Sequence, residues 1–121
     1  MSFNLAVWEG PIPASDADGR TMFESLYARY VDGEPENPSP AIRAFIASLT
    51  AEYPDLVDLS DDEIDDGVWS DGPLTNNASG PLFYFGIVWR RVDSIVSFVA
   101  RVAARQRLVC FDPQAGQCIC R

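Results

Sequence analysis

Leu82-Phe83-Tyr84-Phe85-Gly86-Ile87-Val88-Trp89 is apolar on both of its alternating faces. A strand with one wet face alternates apolar and polar side chains, whereas a strand covered on each side reads as a continuous apolar run. The stretch is therefore expected to be the central strand of the fold, or an edge of the core carrying aromatic residues, with Trp89 packed inside.

Downstream, Asp93 or Ser94 begins a helix that runs to about Gln106, with Ile95, Val96, Val99, Val102 and Ala103 on one side and Arg101 and Arg105 toward its C-terminal end. Leu108 to Phe111 resumes a strand, Asp112-Pro113-Gln114-Ala115-Gly116 reads as a turn, and Gln117 to Cys120 pairs back. Upstream, Phe3, Leu5 and Val7 alternate with Asn4, Ala6 and Trp8, the period of a strand with two useful faces. Ser15 and Asp18 form a capping pattern for a helix to about Val31, with Met22, Phe23, Leu26, Tyr27 and Tyr30 along one face. Ser39 caps a second helix with Pro40 in its first turn, and Pro54 ends it.

The order β-α-α-loop-β-α-β-β predicts an α+β fold, a three-layer or two-layer sandwich: one domain over 1–121, with a small mixed sheet of about four strands and three helices, packing mainly on one face being favoured. The strand-helix-strand unit from Leu82 to Phe111 predicts two parallel strands. Between the second helix and Leu82 about 25 residues, around 55–80, carry no clear element, and loops of that length in compact domains are uncommon and tend to be functional or disordered.

That loop is also the most acidic part of the chain. Asp55, Asp58, Asp61, Asp62, Glu63, Asp65, Asp66 and Asp71 lie there without one Lys or Arg, and Trp69 stands near the end of the run. A run of like charges stays in water, because burying unpaired carboxylates is too costly. The ring of Trp69 either tucks back into the domain or serves as the apolar centre of an interface.

Composition excludes several classes. The 121 residues carry a formal charge of −9, with no lysine and no histidine, so the field repels a phosphate backbone and attracts a basic partner. Without histidine the chain holds neither the commonest general base nor the commonest metal ligand, and no enzymatic activity is expected. No apolar run is long enough to span a bilayer and the first residues lack the pattern of a signal peptide, so a cytoplasmic protein is expected, without membrane or nucleic-acid partners. Cys110, Cys118 and Cys120 match no common zinc spacing. Counting Asp61 as the first position of a calcium loop places Asp66 where glycine belongs and Gly72 where the bidentate glutamate belongs. Neither a metal nor an organic cofactor is therefore called for.

The run Trp69-Ser70-Asp71-Gly72-Pro73-Leu74, with Asn77-Ala78-Ser79-Gly80-Pro81-Leu82, Phe85-Gly86, Leu108 to Gln114 and the opening Ser2 to Trp8, resembles a group of small bacterial proteins. Some of these look like immunity proteins of polymorphic toxin systems. The resemblance implies a toxin-neutralising protein that binds a cognate toxin, and the charge balance adds that the toxin presents a basic active-site cleft; no catalytic residues are carried over from the resemblance. The expected contact set is Asp61, Asp62, Glu63, Asp65, Asp66, Trp69 and Asp71. The alternative is a non-catalytic ligand-binding or scaffold module with a pocket beside Tyr84, Trp89 and the first helix; a carboxylate-dependent enzyme ranks below both.

Overall fold

The computed structural model describes residues 2–120, and of Ser2 and Cys120 the backbone alone. Among the described residues five strands form one sheet: β1 (Ser2–Trp8), β2 (Ala78–Ser79), β3 (Leu82–Val88), β4 (Val109–Asp112) and β5 (Gln117–Cys120), in the order β2-β3-β1-β4-β5. Three α-helices accompany it there, α1 (Asp16–Tyr30), α2 (Pro40–Glu52) and α3 (Val92–Arg105). The fold is α+β.

The sheet differs from expectation in two ways. It has a fifth strand, the two-residue β2, and every neighbouring pair is antiparallel rather than mixed. The strands that flank α3 in sequence, β3 and β4, do run the same way, but β1 lies between them and pairs antiparallel with each. β1 takes the centre because both of its faces are apolar over Leu5-Ala6-Val7-Trp8, all buried.

The helices take the three-layer arrangement, on both faces of the sheet rather than mainly on one. Leu5, Val7, Phe83, Phe85, Ile87 and Cys110 share one sheet face and pack against α2 and α3. Ala6, Trp8, Leu82, Val109 and Phe111 share the other and pack against α1. Three layers result, with α1 alone on its side. Gly19 permits the approach of α1, since a Cβ there would lie 2.5 Å from Cys118 Sγ and 3.2 Å from the Phe111 ring. Glycine inside a helix costs about 0.5–1 kcal/mol against alanine, and closer packing offsets it here.

The caps form as the sequence reads. Ser15 Oγ accepts from the Asp18 N–H at 3.1 Å, and Ser39 Oγ from the Ile42 N–H at 3.2 Å. Beyond the end of β4, the side-chain amide of Gln114 takes the place of a strand: its Oε1 accepts from Asn4 N–H and its Nε2 donates to Asn4 O, both at 2.8 Å.

Of the two readings left open for Trp69 the structure takes the buried one, and the core place expected of Trp89 is not filled by it. Trp89, read as core, is 57% exposed, whereas Trp69, the candidate anchor for a partner, is 1% exposed. β3 stops at Val88 and the chain turns into a short 3-10 segment at Trp89–Arg91, so the alternation that would carry Trp89 inward ends one residue early. Trp69→Ala is expected to lower unfolding stability by about 3–5 kcal/mol, the range for truncating a buried aromatic, and Trp89→Ala by well under half as much. Urea titration of the two variants checks the order; equal losses would contradict these positions.

Candidate functional site

The acidic segment is ordered by anchors that alternate with its charges. Asp55, 8% exposed, is the exception among the carboxylates: its Oδ2 accepts from the buried Leu74 N–H at 2.9 Å, fastening the start of the loop to its end. Val68 O accepts from Val88 N–H at 2.8 Å and Ser70 N–H donates to Gly86 O at 3.0 Å, so Trp69 pairs antiparallel with Ile87. These bonds lie on the same edge of β3 that β2 covers at its other end, and they shield an edge that would otherwise be open to pairing. The Trp69 ring then lies edge-on to Tyr53 and Phe85, and its indole N–H donates to Tyr53 O at 2.8 Å.

Between these anchors two tight turns carry the charge. Ser60 and Glu63 close the first: Glu63 Oε1 accepts from the Ser60 backbone N–H at 3.1 Å and from its hydroxyl at 3.0 Å. The second is a 3-10 turn over Ile64–Asp66, ended by Gly67. A Cβ at Gly67 would come within 2.5 Å of Leu56 Cδ2, so glycine lets this turn close over the apolar residues beneath.

Asp61, Asp62, Glu63, Asp65 and Asp66 are all exposed and follow one another over the two turns, forming one acidic ridge. Asp71 is exposed too, but it lies beyond the Val68–Ser70 pairing segment, where its Oδ1 accepts from Asn77 Nδ2 at 3.0 Å. Trp69 leaves the contact set as a correction, because its ring is spent on the core. Among the described residues no group of three or more Cys, Asp or Glu side chains is arranged to hold a metal ion.

The residue missed in its place is Trp89. Its ring leans on Phe3, centroids 5.7 Å apart, and leaves most of its surface in water. The neighbouring Arg90 donates through Nη2 to the backbone carbonyl of Asp65, which ties the Trp89 turn to the acidic ridge. Ile64, 47% exposed, stands on the ridge itself. The signal was present in Arg90-Arg91: two consecutive cations mark the point where a buried strand must leave the core.

Beside the ridge lies a cleft of about 200 Å³ with Tyr53, Pro54, Leu59 and Val68 as apolar walls and Glu63 and Asp66 among its lining residues. Apolar walls with carboxylates suit the aliphatic stem and charged head of Arg or Lys. A second cleft beside Tyr84 and α1 exists as the ligand-binding alternative expects, but Trp89 does not line it. Trp89 contacts Phe3 on the sheet face of α2 and α3, whereas Tyr84 faces α1.

Comparison of the chain with protein-family models, with curated proteins and with solved structures finds no match. No helix among the described residues is long and apolar enough to cross a membrane.

The Ser60 contacts hold the Glu63 carboxyl below the usual glutamate range, the backbone N–H contributing most, the hydroxyl next, and slight desolvation opposing both. A depressed carboxyl pKa contributes stability above the unfolded-state value and loses it as pH falls through the folded value. Ser60→Ala removes only the hydroxyl, so a carbon-13 NMR titration is expected to show the Glu63 pKa rising partway and staying below the ordinary value. Full return to that value, or no change, would show that the turn is held otherwise.

Proposed function

We propose that the chain is a cytoplasmic immunity protein whose acidic ridge and Trp89 bind a cognate bacterial toxin over a basic active-site cleft. The observation that carries this reading is the exposed Trp89, fastened by Arg90 to Asp65 in the middle of the ridge. Interfaces concentrate their energy in a few desolvated aromatic or Arg anchors surrounded by polar groups, and this pairing supplies both parts on one surface. The ridge carries no catalytic role.

Mechanistically, the net charge of −9 steers a basic partner toward the molecule, and the ridge supplies the local field. On contact, Trp89 and Ile64 leave water, while Asp65 and Asp66 face Arg or Lys of the toxin that would otherwise receive an anionic substrate. A basic side chain entering the cleft between Leu59 and Val68 reaches Glu63 and Asp66. Charge sets the association rate and the choice of partner, and apolar burial sets the lifetime of the complex.

The test is capture of a toxin encoded beside this gene, followed by titration calorimetry. Trp89→Ala is expected to weaken binding by about 30-fold, the scale of an interface anchor worth ~2 kcal/mol. Asp65→Asn with Asp66→Asn is expected to slow association and flatten its salt dependence while leaving the fold intact. A toxin bound and neutralised equally well by both variants would place the interface elsewhere.

A further inference from the structure

The face of the sheet under α1 ends in a corner of three aromatic rings. Phe23 and Tyr27 stand one turn apart on α1, and Tyr84 projects from β3 toward them. Ring centroids are 5.8 Å apart for Phe23 and Tyr27, 5.5 Å for Phe23 and Tyr84, and 5.7 Å for Tyr27 and Tyr84. The ring planes are inclined to one another at 55°, 58° and 79°. The rings pack on one another, Tyr27 and Tyr84 edge-on, and all three contribute to the lining of a single cleft. A cleft of about 340 Å³ opens on the three rings, completed by Glu24, Ala28 and Asp32.

One of the three rings has buried aromatic backing. Phe23 is backed by Trp8, at 6.3 Å, and by Phe111, at 5.7 Å, both of which are buried. Burial pushes the Tyr84 hydroxyl above its ordinary value, against the opposing effect of its bond with the Asn4 side chain, so the ring stays neutral across the physiological range. All three rings are half-buried, which leaves part of each in contact with solvent.

We infer that this corner binds a quaternary ammonium group on a small organic cation of the choline class. Aromatic faces carry negative quadrupole potential and attract a cation most strongly when it gives up little hydration. A methylated nitrogen gives up less than a primary ammonium, whose three N–H donors would find no acceptor on the rings. Glu24 and Asp32 add negative charge at the cleft, and neither they nor the other lining residues bring a competing cation. The same two carboxylates disfavour a ligand that carries phosphate or carboxylate close to its nitrogen. A lipid phosphocholine headgroup is thereby a poorer occupant than a free cation bearing a hydroxyl. This site lies on the α1 side of the sheet and does not depend on the acidic ridge.

The experiment is an NMR titration of the full chain with choline chloride, with 3,3-dimethylbutan-1-ol as the neutral isostere and phosphocholine as the headgroup. Choline is expected to move the aromatic resonances of Phe23, Tyr27 and Tyr84 saturably, with affinity at least about tenfold above either comparator, as for an interaction dominated by charge over rings. Tyr27→Leu, which keeps bulk and removes the π face, is expected to weaken choline binding by about tenfold, and Glu24→Gln with Asp32→Asn by a smaller factor. Equal binding of choline and its neutral isostere overturns the inference, as does no saturable shift, or an unchanged affinity in folded Tyr27→Leu. Stronger binding of phosphocholine overturns it in favour of a lipid headgroup. The comparison of ligands on the unaltered chain decides the matter even if Tyr27→Leu fails to fold.

Discussion

The hydrogen bond from the Trp69 indole to the carbonyl oxygen of Tyr53, 2.8 Å long, joins the end of α2 to the far side of the acidic segment. Ordering a segment of that length is entropically expensive, and carboxylates in water return nothing for it. The compensation comes from the residues between the charges. Val68, Trp69 and Leu74 are buried, Asp55 grips the Leu74 N–H, and Val68–Ser70 bonds to the edge of β3. Remove the ring and the backbone pairing beside it loses its apolar support, so the ridge, the cleft next to it and the covered sheet edge all depend on one buried side chain.

That arrangement holds five carboxylates on six consecutive residues, Asp61 to Asp66, with only apolar Ile64 among them. Like charges so close repel, and the repulsion is weakened but not abolished by water and salt. A turn that existed only to connect α2 to β3 has no need of this. The repulsion is relieved when a basic surface approaches, which couples the local electrostatic cost of the fold to the affinity of the proposed complex. Arg90 takes part by bonding the backbone carbonyl of Asp65, which positions the turn while the Asp65 side chain remains exposed.

Legibility followed how local the determinant was. Ser15, Ser39, Pro40 and Pro54 act within a turn of their own position, and the helix limits follow from them. The apolar run from Leu82 to Val88 announced cover on both sides, yet the side taken by each helix depended on contacts that are distant in sequence, such as Gly19 against Phe111. β2 was hidden because Ala78-Ser79 sits among residues that favour turns and gains its strand geometry from Leu82 and Phe83 across the hairpin. The places of Trp69 and Trp89 have the same origin. A tryptophan among aspartates reads equally as a buried anchor or an interface centre until the edge of β3 is known to lie open beside it, and one that ends an apolar strand reads as buried until the strand is seen to stop. The exposed charges of the ridge needed no tertiary information, and the sequence placed them correctly.

The two proposed sites select cations by different physics. The ridge acts through a field that reaches toward an approaching surface and fades over a Debye length of about 8 Å at physiological ionic strength. The aromatic corner acts at contact, where ring faces and a desolvated methylated nitrogen meet and added salt intervenes much less. A large basic protein integrates the first effect over many charges, whereas a small cation gains little from it and depends on the second. The −9 charge serves both by raising the local concentration of any cation, but the choice between them is made by geometry. A broad exposed ridge beside Trp89 matches a surface, and a corner of three inclined rings matches a single methylated head.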